Sequence, residues 1–251
     1  MDVFRQHSDM KAEAPYIIDD CRVPSEWPHS GNVEFKNLSI KYGTGLDYAL
    51  KNLNVAIRPG EKIGIVGRTG AGKSTLAKAI FRLLHENIEG SIETDGHDTA
   101  TFGVGDFCPK LGIIPQEATM FSGTVRRNLD PLQEDIKCGI NKRLSENDSR
   151  FSSGQQQLFS LCHLLMRKRK VLVLDEATAD VDLETDRKMQ ELIRSEFSNC
   201  TVITIAHRLD TIMKSDRIIV MEKGEIAEIG PPQELIANGG MFAELVKADE
   251  F

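Results

Sequence analysis

The chain has 251 residues, 40% of them hydrophobic, and its 31 Lys and Arg against 38 Asp and Glu give a formal net charge of −7. This length and composition predict one large folded domain and exclude a disordered chain. The longest apolar runs are four residues, far short of the roughly 20 residues that a membrane-spanning helix needs. The acidic balance argues against a nucleic-acid groove.

The cysteines and the N-terminus bear on the cellular compartment. Five widely spaced cysteines without a CxxC pair favour buried, reduced thiols over disulfides or a zinc site. The N-terminus lacks the basic start and the apolar stretch of a secretory signal. We therefore expect the chain to stay on the cytosolic side of a membrane.

The first half of the chain contains β-like segments ahead of a glycine-rich loop. Residues 1–32 are polar, with three prolines around the single tryptophan, and predict a mobile leader followed by an extended linker. Alternating patterns predict strands at 33–35 and 48–57. The apolar segment 62–66 predicts a short buried strand that runs into the glycine-rich loop and then into a helix.

The second half predicts the layers around this strand. Apolar runs at 171–174 and 202–205 are separated and followed by helical segments, which is typical of a parallel sheet covered by helices on both faces. The tail alternates on both sides of Lys223-Gly224, which predicts a β-hairpin. An amphipathic helix is predicted near 241–247. The fold class is therefore predicted to be α/β.

The glycine-rich loop fits the phosphate-binding pattern G-x-x-x-x-G-K-[ST] between a predicted strand and a predicted helix, the context that this motif requires. Backbone N–H groups in such a loop converge on an anion, and the helix N-terminus adds its positive dipole end. Lys73 would bridge the β- and γ-phosphates and Ser74 would ligate Mg²⁺. The alternative, a tight glycine turn before a helix, is disfavoured by those flanks. The predicted nucleotide contacts in this loop are Gly67, Arg68, Thr69, Gly70, Ala71, Gly72, Lys73, Ser74 and Thr75.

Two adjacent carboxylates follow the apolar run at 171–174. Asp175 and Glu176 would lie at the carboxyl end of a parallel strand, where α/β sheets bind ligands. Because successive side chains on a strand diverge, Asp175 would face Mg²⁺ and Glu176 the attacking water, as a general base. Such a pair alone is more often a solvated strand end, but the phosphate loop reverses that preference.

Four further segments complete a resemblance to the nucleotide-binding domain of ATP-binding-cassette (ABC) transporters. Phe151-Ser152-Ser153-Gly154-Gln155 resembles the family's signature sequence, Gln116 its glutamine loop, 179–182 its aspartate loop and His207 its switch histidine. The sequence between the motifs is similar to the second such domain of the multidrug-resistance-associated (C) subfamily. The resemblance implies a P-loop NTPase core with a mostly parallel sheet, an N-terminal antiparallel β subdomain and a shortened helical subdomain.

Further site residues are implied by this resemblance. Tyr42 would stack on the adenine, although packing on the sheet fits a strand-end tyrosine equally well. Gln116 would sense the γ-phosphate through Mg²⁺ and the attacking water; its alternative is a surface turn. His207 would hydrogen-bond the γ-phosphate, whereas a lone histidine there is usually structural. The implied catalytic residues are Glu176, His207, Gln116 and Lys73, and the implied Mg²⁺ ligands are Ser74, Gln116 and Asp175.

The signature segment is expected to act on a partner's ATP. Ser152, Ser153, Gly154 and Gln155 would complete the site of a second nucleotide-binding domain, with the following helix presenting its N-terminal dipole end to the partner's γ-phosphate. Asp182 belongs to the aspartate loop. The resemblance therefore implies two domains that meet head to tail around two ATP molecules, together with the transmembrane domains of a transporter.

The expected domain boundaries follow from these matches. Residues 1–32 form the leader and linker, similar to the segment that follows the last transmembrane helix in the C subfamily. Residues 33–251 form the nucleotide-binding domain. Its helical subdomain, about 117–168, is expected to be truncated around 131–150, because the family usually places several helices there. A linker and a cut subdomain together suggest a fragment of a longer protein.

The predicted function is ATP binding and hydrolysis that powers export of organic substrates, at the cytosolic face of a membrane, with ATP and Mg²⁺ as ligands. The main alternative is a non-hydrolysing nucleotide-binding module, or an incomplete transporter fragment, because the shortened subdomain carries the signature. A soluble cassette protein of translation or DNA repair ranks last, since such proteins usually carry two cassettes or a long coiled-coil insertion in one chain.

Overall fold

The computed structural model describes residues 15–43, 45–84, 87–116, 118, 120–121, 123–129, 143–144, 151–167, 169–177, 181–206 and 208–249. The strands are β1 (Val33–Lys41), β2 (Tyr48–Ile57), β3 (Lys62–Gly67), β4 (Ile88–Thr94), β5 (His97–Asp98), β6 (Gly112–Ile114), β7 (Gly123–Thr124), β8 (Arg143–Leu144), β9 (Val171–Asp175), β10 (Thr201–Ile205), β11 (Arg217–Glu222) and β12 (Glu225–Gly230). The α-helices are α1 (Lys73–Ile80), α2 (Val104–Phe107), α3 (Val125–Leu129), α4 (Ser153–Met166), α5 (Leu183–Glu196), α6 (Leu209–Ile212), α7 (Pro232–Asn238) and α8 (Met241–Asp249).

A six-stranded sheet forms the centre of the fold, in the order β12-β11-β3-β10-β9-β6. Neighbouring strands are parallel except β11 and β12, which form the predicted hairpin. The carboxyl ends of β3 and β9 lie on either side of that of β10. The glycine-rich loop and the carboxylate pair therefore both follow the carboxyl ends of the parallel strands. The predicted α/β class with a mostly parallel sheet is confirmed.

Alternate residues of each central strand serve opposite faces of this sheet. Leu172 and Leu174 pack with side chains of α4 and α5, whereas Val171 and Val173 belong to the core cluster that contains Leu76 of α1. Every residue of 171–174 is buried, which explains why this run is apolar without alternation. Helices on both faces therefore hold this strand of the sheet in place.

A second, antiparallel sheet has the order β2-β1-β4-β5. Its inward side chains, among them Phe35, Leu38 and Leu50, are fully buried and share one hydrophobic cluster with α1 and the parallel sheet. The antiparallel β subdomain expected from the family resemblance is therefore present. It covers α1, the helix that follows the glycine-rich loop.

Residues 15–32 lie against the antiparallel sheet. Trp27 is 3% exposed, its indole N–H donates to the Thr94 carbonyl at 3.0 Å, and its ring centroid lies 5.3 Å from that of Phe102. The carboxylate of Asp95 accepts hydrogen bonds from the backbone N–H groups of 30, 31 and 32. The described part of the predicted linker is also held further upstream, where the Gly105 N–H donates to the Tyr16 carbonyl at 2.8 Å and Arg22 pairs with Asp106 at 2.9 Å. The boundary between 32 and 33 stays a prediction.

Two expectations concern residues that the structure describes in part. The predicted truncation around 131–150 falls outside the described residues, apart from the backbone of β8, which pairs with β7. The described cysteines are free thiols, but Cys21 and Cys162 are exposed, so the expectation of burial is wrong for these two.

Within the described ranges, no helix combines the length and the apolar character needed to cross a membrane.

Candidate functional site

The glycine-rich loop connects β3 to α1 through a path that only glycine follows without collision. A Cβ on Gly67 would collide with the Met221 carbonyl oxygen, and one on Gly72 would lie 2.7 Å from the Ala49 carbonyl oxygen. Both residues have positive φ, +154° and +102°, in the region that disfavours L side chains. The chain therefore turns tightly into α1, and Gly72 is the residue that precedes the first helical turn.

Lys73 lies within this loop. Its side chain is largely buried, and its Nζ donates to the carbonyl oxygen of Gly67 at 2.7 Å. Burial lowers the pKa of Lys73, while the negative charges of Glu176 and Asp175 act in the opposite direction. The lysine is therefore held by the loop backbone and lies within electrostatic reach of both carboxylates.

Tyr42 lies beside the first turn of α1. Its hydroxyl is 3.0 Å from Oγ1 of Thr75, the buried threonine in the first turn of α1. Its side chain is 54% exposed, so the ring is not packed into the sheet, which was the alternative for this residue. The hydrogen bond to Thr75 fixes the ring beside the phosphate loop, where its face is available to a planar ligand.

Glu176 leaves the end of β9 in an unusual conformation. Its φ is +51°, in the left-handed region that few non-glycine residues adopt, and its N–H donates to the Ile205 carbonyl at 2.9 Å. Asp175 is the last residue of β9 and pairs with Ile205 of β10. The two carboxylates are therefore set by different backbone conformations, and strained backbone of this kind is typical of functional sites.

An open cleft of about 300 Å³ brings most of the predicted nucleotide contacts together. It is lined by Tyr42, Ala49, Thr69, Gly70, Ala71, Gly72, Lys73, Ser74, Thr75 and Glu176. Its size lies at the lower end of the range for small-molecule sites. The lining of this cleft thus combines an aromatic ring, a glycine-rich backbone with a lysine, and a carboxylate.

The oxygen donors at this cleft match the preference of Mg²⁺. That ion takes oxygen ligands and keeps several from water or phosphate. Ser74 supplies a hydroxyl in the lining of the cleft, whereas Asp175 is not among the lining residues, although its carboxylate is close enough to act on the charge of Lys73. Within the described ranges no group of three or more His, Cys, Asp or Glu side chains is placed to hold a metal by itself.

Gln116 is not among the residues that line the cleft of about 300 Å³, which we call the phosphate cleft. It follows β6 and lines a second cleft of about 240 Å³, together with Ala118, Ser153, Gln156, Gln157, Ala177 and Val181. The structure thus brings Gln116 beside the signature helix α4 and does not bring it among the lining residues of the phosphate cleft. Its assignment as an Mg²⁺ ligand stays a prediction.

The signature segment forms the start of α4. Ser152 is the N-cap: its Oγ accepts from the N–H of Gln155 at 3.3 Å, while the Gln155 side chain accepts from the Ser152 N–H at 3.1 Å. This capping box satisfies two orphan donors. Because the Ser152 hydroxyl only accepts there, its own proton remains able to reach an external acceptor.

Gly154 brings the signature against the segment that follows the carboxylates. A Cβ on Gly154 would lie 3.1 Å from Cγ1 of Val181 and 3.2 Å from Cγ2 of Thr185, so only a hydrogen atom leaves that contact unstrained. Asp182 caps α5 by accepting from the Thr185 N–H at 3.0 Å, and this bond lowers the pKa of Asp182. Residues 178–180 and His207 lie outside the described residues, so the role of His207 stays a prediction.

One residue of this region was not predicted. Gln157 is buried on α4 on the same face as Leu161 and Leu164, and its amide joins α4 to the loop at Gln116. The spacing 157, 161, 164 is that of an apolar helix stripe. A polar residue in such a stripe is the signal that could have identified it, because a buried amide needs a partner.

The chain is similar to known proteins over nearly its whole length. Residues 50–179 match the family model described as ABC transporter. The chain is 49% identical over 255 residues to ABC transporter C family member 12 of Dictyostelium discoideum, covering 93% of this chain and 19% of that protein. It is 45% identical over 258 residues to ATP-binding cassette sub-family C member 3 of Homo sapiens, covering 95% of this chain and 17% of that protein. It is 44% identical over 263 residues to Metal resistance protein YCF1 of Saccharomyces cerevisiae, covering 96% of this chain and 17% of that protein.

The chain therefore spans less than a fifth of the length of these relatives. Its fold is also similar to a solved structure of a bacterial Atm1-family ABC exporter with ATP bound. The TM-score is 0.86 at 26% identity, and the match covers 100% of this chain and 47% of that one. Sequence and fold thus lead to the same group of proteins.

Proposed function

The chain belongs to the ABC transporter family, and we propose that it binds Mg-ATP between Tyr42 and the phosphate loop and hydrolyses it with Glu176 as general base. The observation that carries this proposal is the single cleft that Tyr42, Lys73, Ser74 and Glu176 line together. The aromatic ring suits adenine, the anion nest with its lysine suits the phosphates, and the carboxylate suits an attacking water.

The chemistry of this cleft follows from its residues. Backbone N–H groups of the loop and the N-terminus of α1 bind the phosphate oxygens, and Lys73 moves its hydrogen bonds from the Gly67 carbonyl to the β- and γ-phosphates. Ser74 and Asp175 would hold Mg²⁺, which would supply positive charge against the phosphates. Glu176 accepts a proton from the water that attacks the γ-phosphate, a role typical of a positioned carboxylate.

The signature of a second nucleotide-binding domain completes the site in this proposal. Ser152 has a free hydroxyl proton, and α4 presents its N-terminal end, so this chain supplies the same groups to the partner's ATP. Two domains close head to tail around two ATP molecules and reopen after hydrolysis, since the closed state binds ATP more tightly than ADP. Gln116 and His207 respond to the γ-phosphate.

The membrane partner of this domain is the second part of the proposal. An open cleft of about 230 Å³ lies between the loop after β6 and α4, lined by apolar side chains that include Met120, Phe121 and Phe159. Phe121 is exposed, and the group of apolar side chains to which it belongs in this cleft, rather than the single ring, favours a protein contact at this surface. We assign it to transmembrane domains that export organic substrates, with this chain on the cytosolic face of the membrane.

A non-hydrolysing module is the second candidate function. One feature favours it: only residues 131–150 separate Asp130 from the signature at Phe151, where the family usually has several helices. If that short segment fails to present α4 to a partner, ATP binds and is not turned over. The two candidates share the phosphate cleft and differ in hydrolysis.

Calorimetric titration with Mg-ATP tests the shared part. Lys73→Ala removes charge-assisted hydrogen bonds to phosphate and should weaken binding at least about 100-fold. Lys78→Ala removes an exposed lysine of the same helix and should bind as the wild type does. Equal binding by Lys73→Ala and Lys78→Ala would contradict the assignment of the phosphate site.

A further inference from the structure

Gln157 makes an unusual pair of hydrogen bonds between two functional segments. Its side chain is 3% exposed, and its Nε2 donates to the carbonyl oxygen of Pro115 at 3.0 Å and to that of Gln116 at 2.8 Å. One side-chain amide thus satisfies two consecutive backbone carbonyls of the glutamine loop. Its Oε1 is buried and accepts no hydrogen bond from the described part of the chain.

The chemistry of this contact is specific to an amide. Two carbonyl oxygens need two N–H donors from one atom, which the NH₂ group of Gln supplies and a carboxylate or a hydroxyl does not. The position itself lies in the apolar stripe of α4 with Leu161 and Leu164, where an aliphatic side chain would pack well. A core-packing role therefore does not explain a glutamine here, since its buried Oε1 costs free energy that a leucine would avoid.

The location of this contact connects the two sides of the site. Gln157 lies five residues after Ser152, so about 7.5 Å of helix separates the glutamine-loop contact from the signature N-cap. Gln157 belongs to the 14-residue helix that Ser152 caps, so a shift of this helix moves both residues together. Gln116 and Gln157 also line the same cleft, which leaves room for that helix to shift against the glutamine loop.

Resting on the proposed function, we infer that Gln157 is a positioning residue that couples the glutamine loop to the signature helix. When Mg-ATP draws Gln116 toward the phosphate cleft, the two hydrogen bonds carry α4 with it, and Ser152 moves into the arrangement that serves the partner's ATP. The coupling is reciprocal, so a partner's ATP that holds the signature also holds Gln116.

Amide hydrogen exchange of the whole chain, with and without Mg-ATP, tests this inference. In the wild type, Mg-ATP should slow exchange at residues 153–160, the start of α4. Gln157→Leu should lose that change while its affinity for Mg-ATP stays within about threefold of the wild type, because Gln157 does not line the phosphate cleft. Gln156→Leu is the matched control: that neighbouring amide donates to Phe151 at 3.4 Å, within its own segment, and should keep the change.

A second variant covers the case in which Gln157→Leu fails to fold. Gln157→Glu keeps the size of the side chain, but its carboxylate has no donor at about pH 8. It gains one O–H on protonation near pH 5, because burial at this position raises the pKa of a carboxyl above its ordinary value of about 4.3. The ATP-induced slowing should be absent at the higher pH and partly restored at the lower pH. The same change of pH should leave the slowing in place in the wild type and in Gln156→Leu, so that the restoration is specific to the carboxyl at position 157.

Two results would overturn the inference. One is wild-type slowing in both Gln157 variants; the other is a wild type that binds Mg-ATP without any change at 153–160. A wild type that does not bind Mg-ATP is a different result, because the proposed function then fails first and the inference falls with it. Titration of the same samples separates these cases.

Discussion

The main-chain N–H of Glu176 donates a 2.9 Å hydrogen bond to the carbonyl oxygen of Ile205, the last residue of the adjacent strand. With this bond Glu176 adopts a φ of +51°, a left-handed conformation that costs a non-glycine residue about 1–2 kcal/mol. The proposed general base is thus held at the phosphate cleft by a strained backbone. This conformation lowers the stability of the fold at the position where the proposed mechanism needs a carboxylate.

Glycine at position 176 should relieve this strain. We expect Glu176→Gly to be more stable than Glu176→Ala by about 0.5–1 kcal/mol, because glycine adopts positive φ freely but loses more entropy on folding. Both variants lack the carboxylate, so their difference isolates the backbone. Urea denaturation of the two variants measures it, and a Glu176→Gly variant less stable than Glu176→Ala would contradict the strained conformation.

The ring of Tyr42 should contribute to ATP affinity through stacking. Tyr42→Phe keeps the ring and loses only the hydrogen bond to Thr75, so binding should weaken by less than about tenfold. Tyr42→Ala should lose about 1–3 kcal/mol, the usual contribution of a base stacked on an aromatic side chain. Fluorescence titration with a labelled ATP analogue separates the two, and equal losses would show that the ring itself makes no contact.

The Asp95 carboxylate should make the stability of the chain sensitive to acid. Burial pushes its pKa up, but hydrogen bonds from Ser30, Asn32 and Gly31 outweigh burial, so the pKa of Asp95 is lower in the folded chain than in the unfolded chain. Its stabilising effect is therefore fully present above about pH 4, the unfolded value, and is lost as the pH falls through the lower folded value.

Denaturation of Asp95→Asn at neutral and acidic pH measures this effect. At pH 7 the variant should be less stable than the wild type by about 2 kcal/mol, since hydrogen bonds to a charged group are lost. The difference should shrink below about pH 4. Asp47→Asn, at an exposed carboxylate, should change stability by less than about 0.5 kcal/mol. A pH-independent Asp95→Asn effect would exclude the linkage.

Local sequence predicted the elements that depend on neighbouring residues. The phosphate loop could be located because strand, glycines, lysine and helix are consecutive, and the buried runs at 171–174 and 202–205 could be identified because both faces of their sheet are covered. The hairpin at Lys223-Gly224 could be predicted because its two strands are consecutive in the chain.

Contacts between distant segments could not be predicted in the same way. Trp27 donates to Thr94, 67 residues later, and no feature of 15–32 distinguishes a docked segment from a linker. Gln157 bonds a carbonyl 41 residues earlier, and the left-handed turn at Glu176 depends on a strand that comes later in the chain. These features depend on tertiary packing, which no local pattern in one sequence encodes.

Hydrolysis by Glu176→Gln tests the central claim most directly. We expect the wild type to release phosphate from Mg-ATP slowly, and Glu176→Gln to bind Mg-ATP with the same affinity but to release phosphate at least about 100-fold more slowly, as expected for loss of a general base. Equal rates of phosphate release by the wild type and Glu176→Gln would contradict the account.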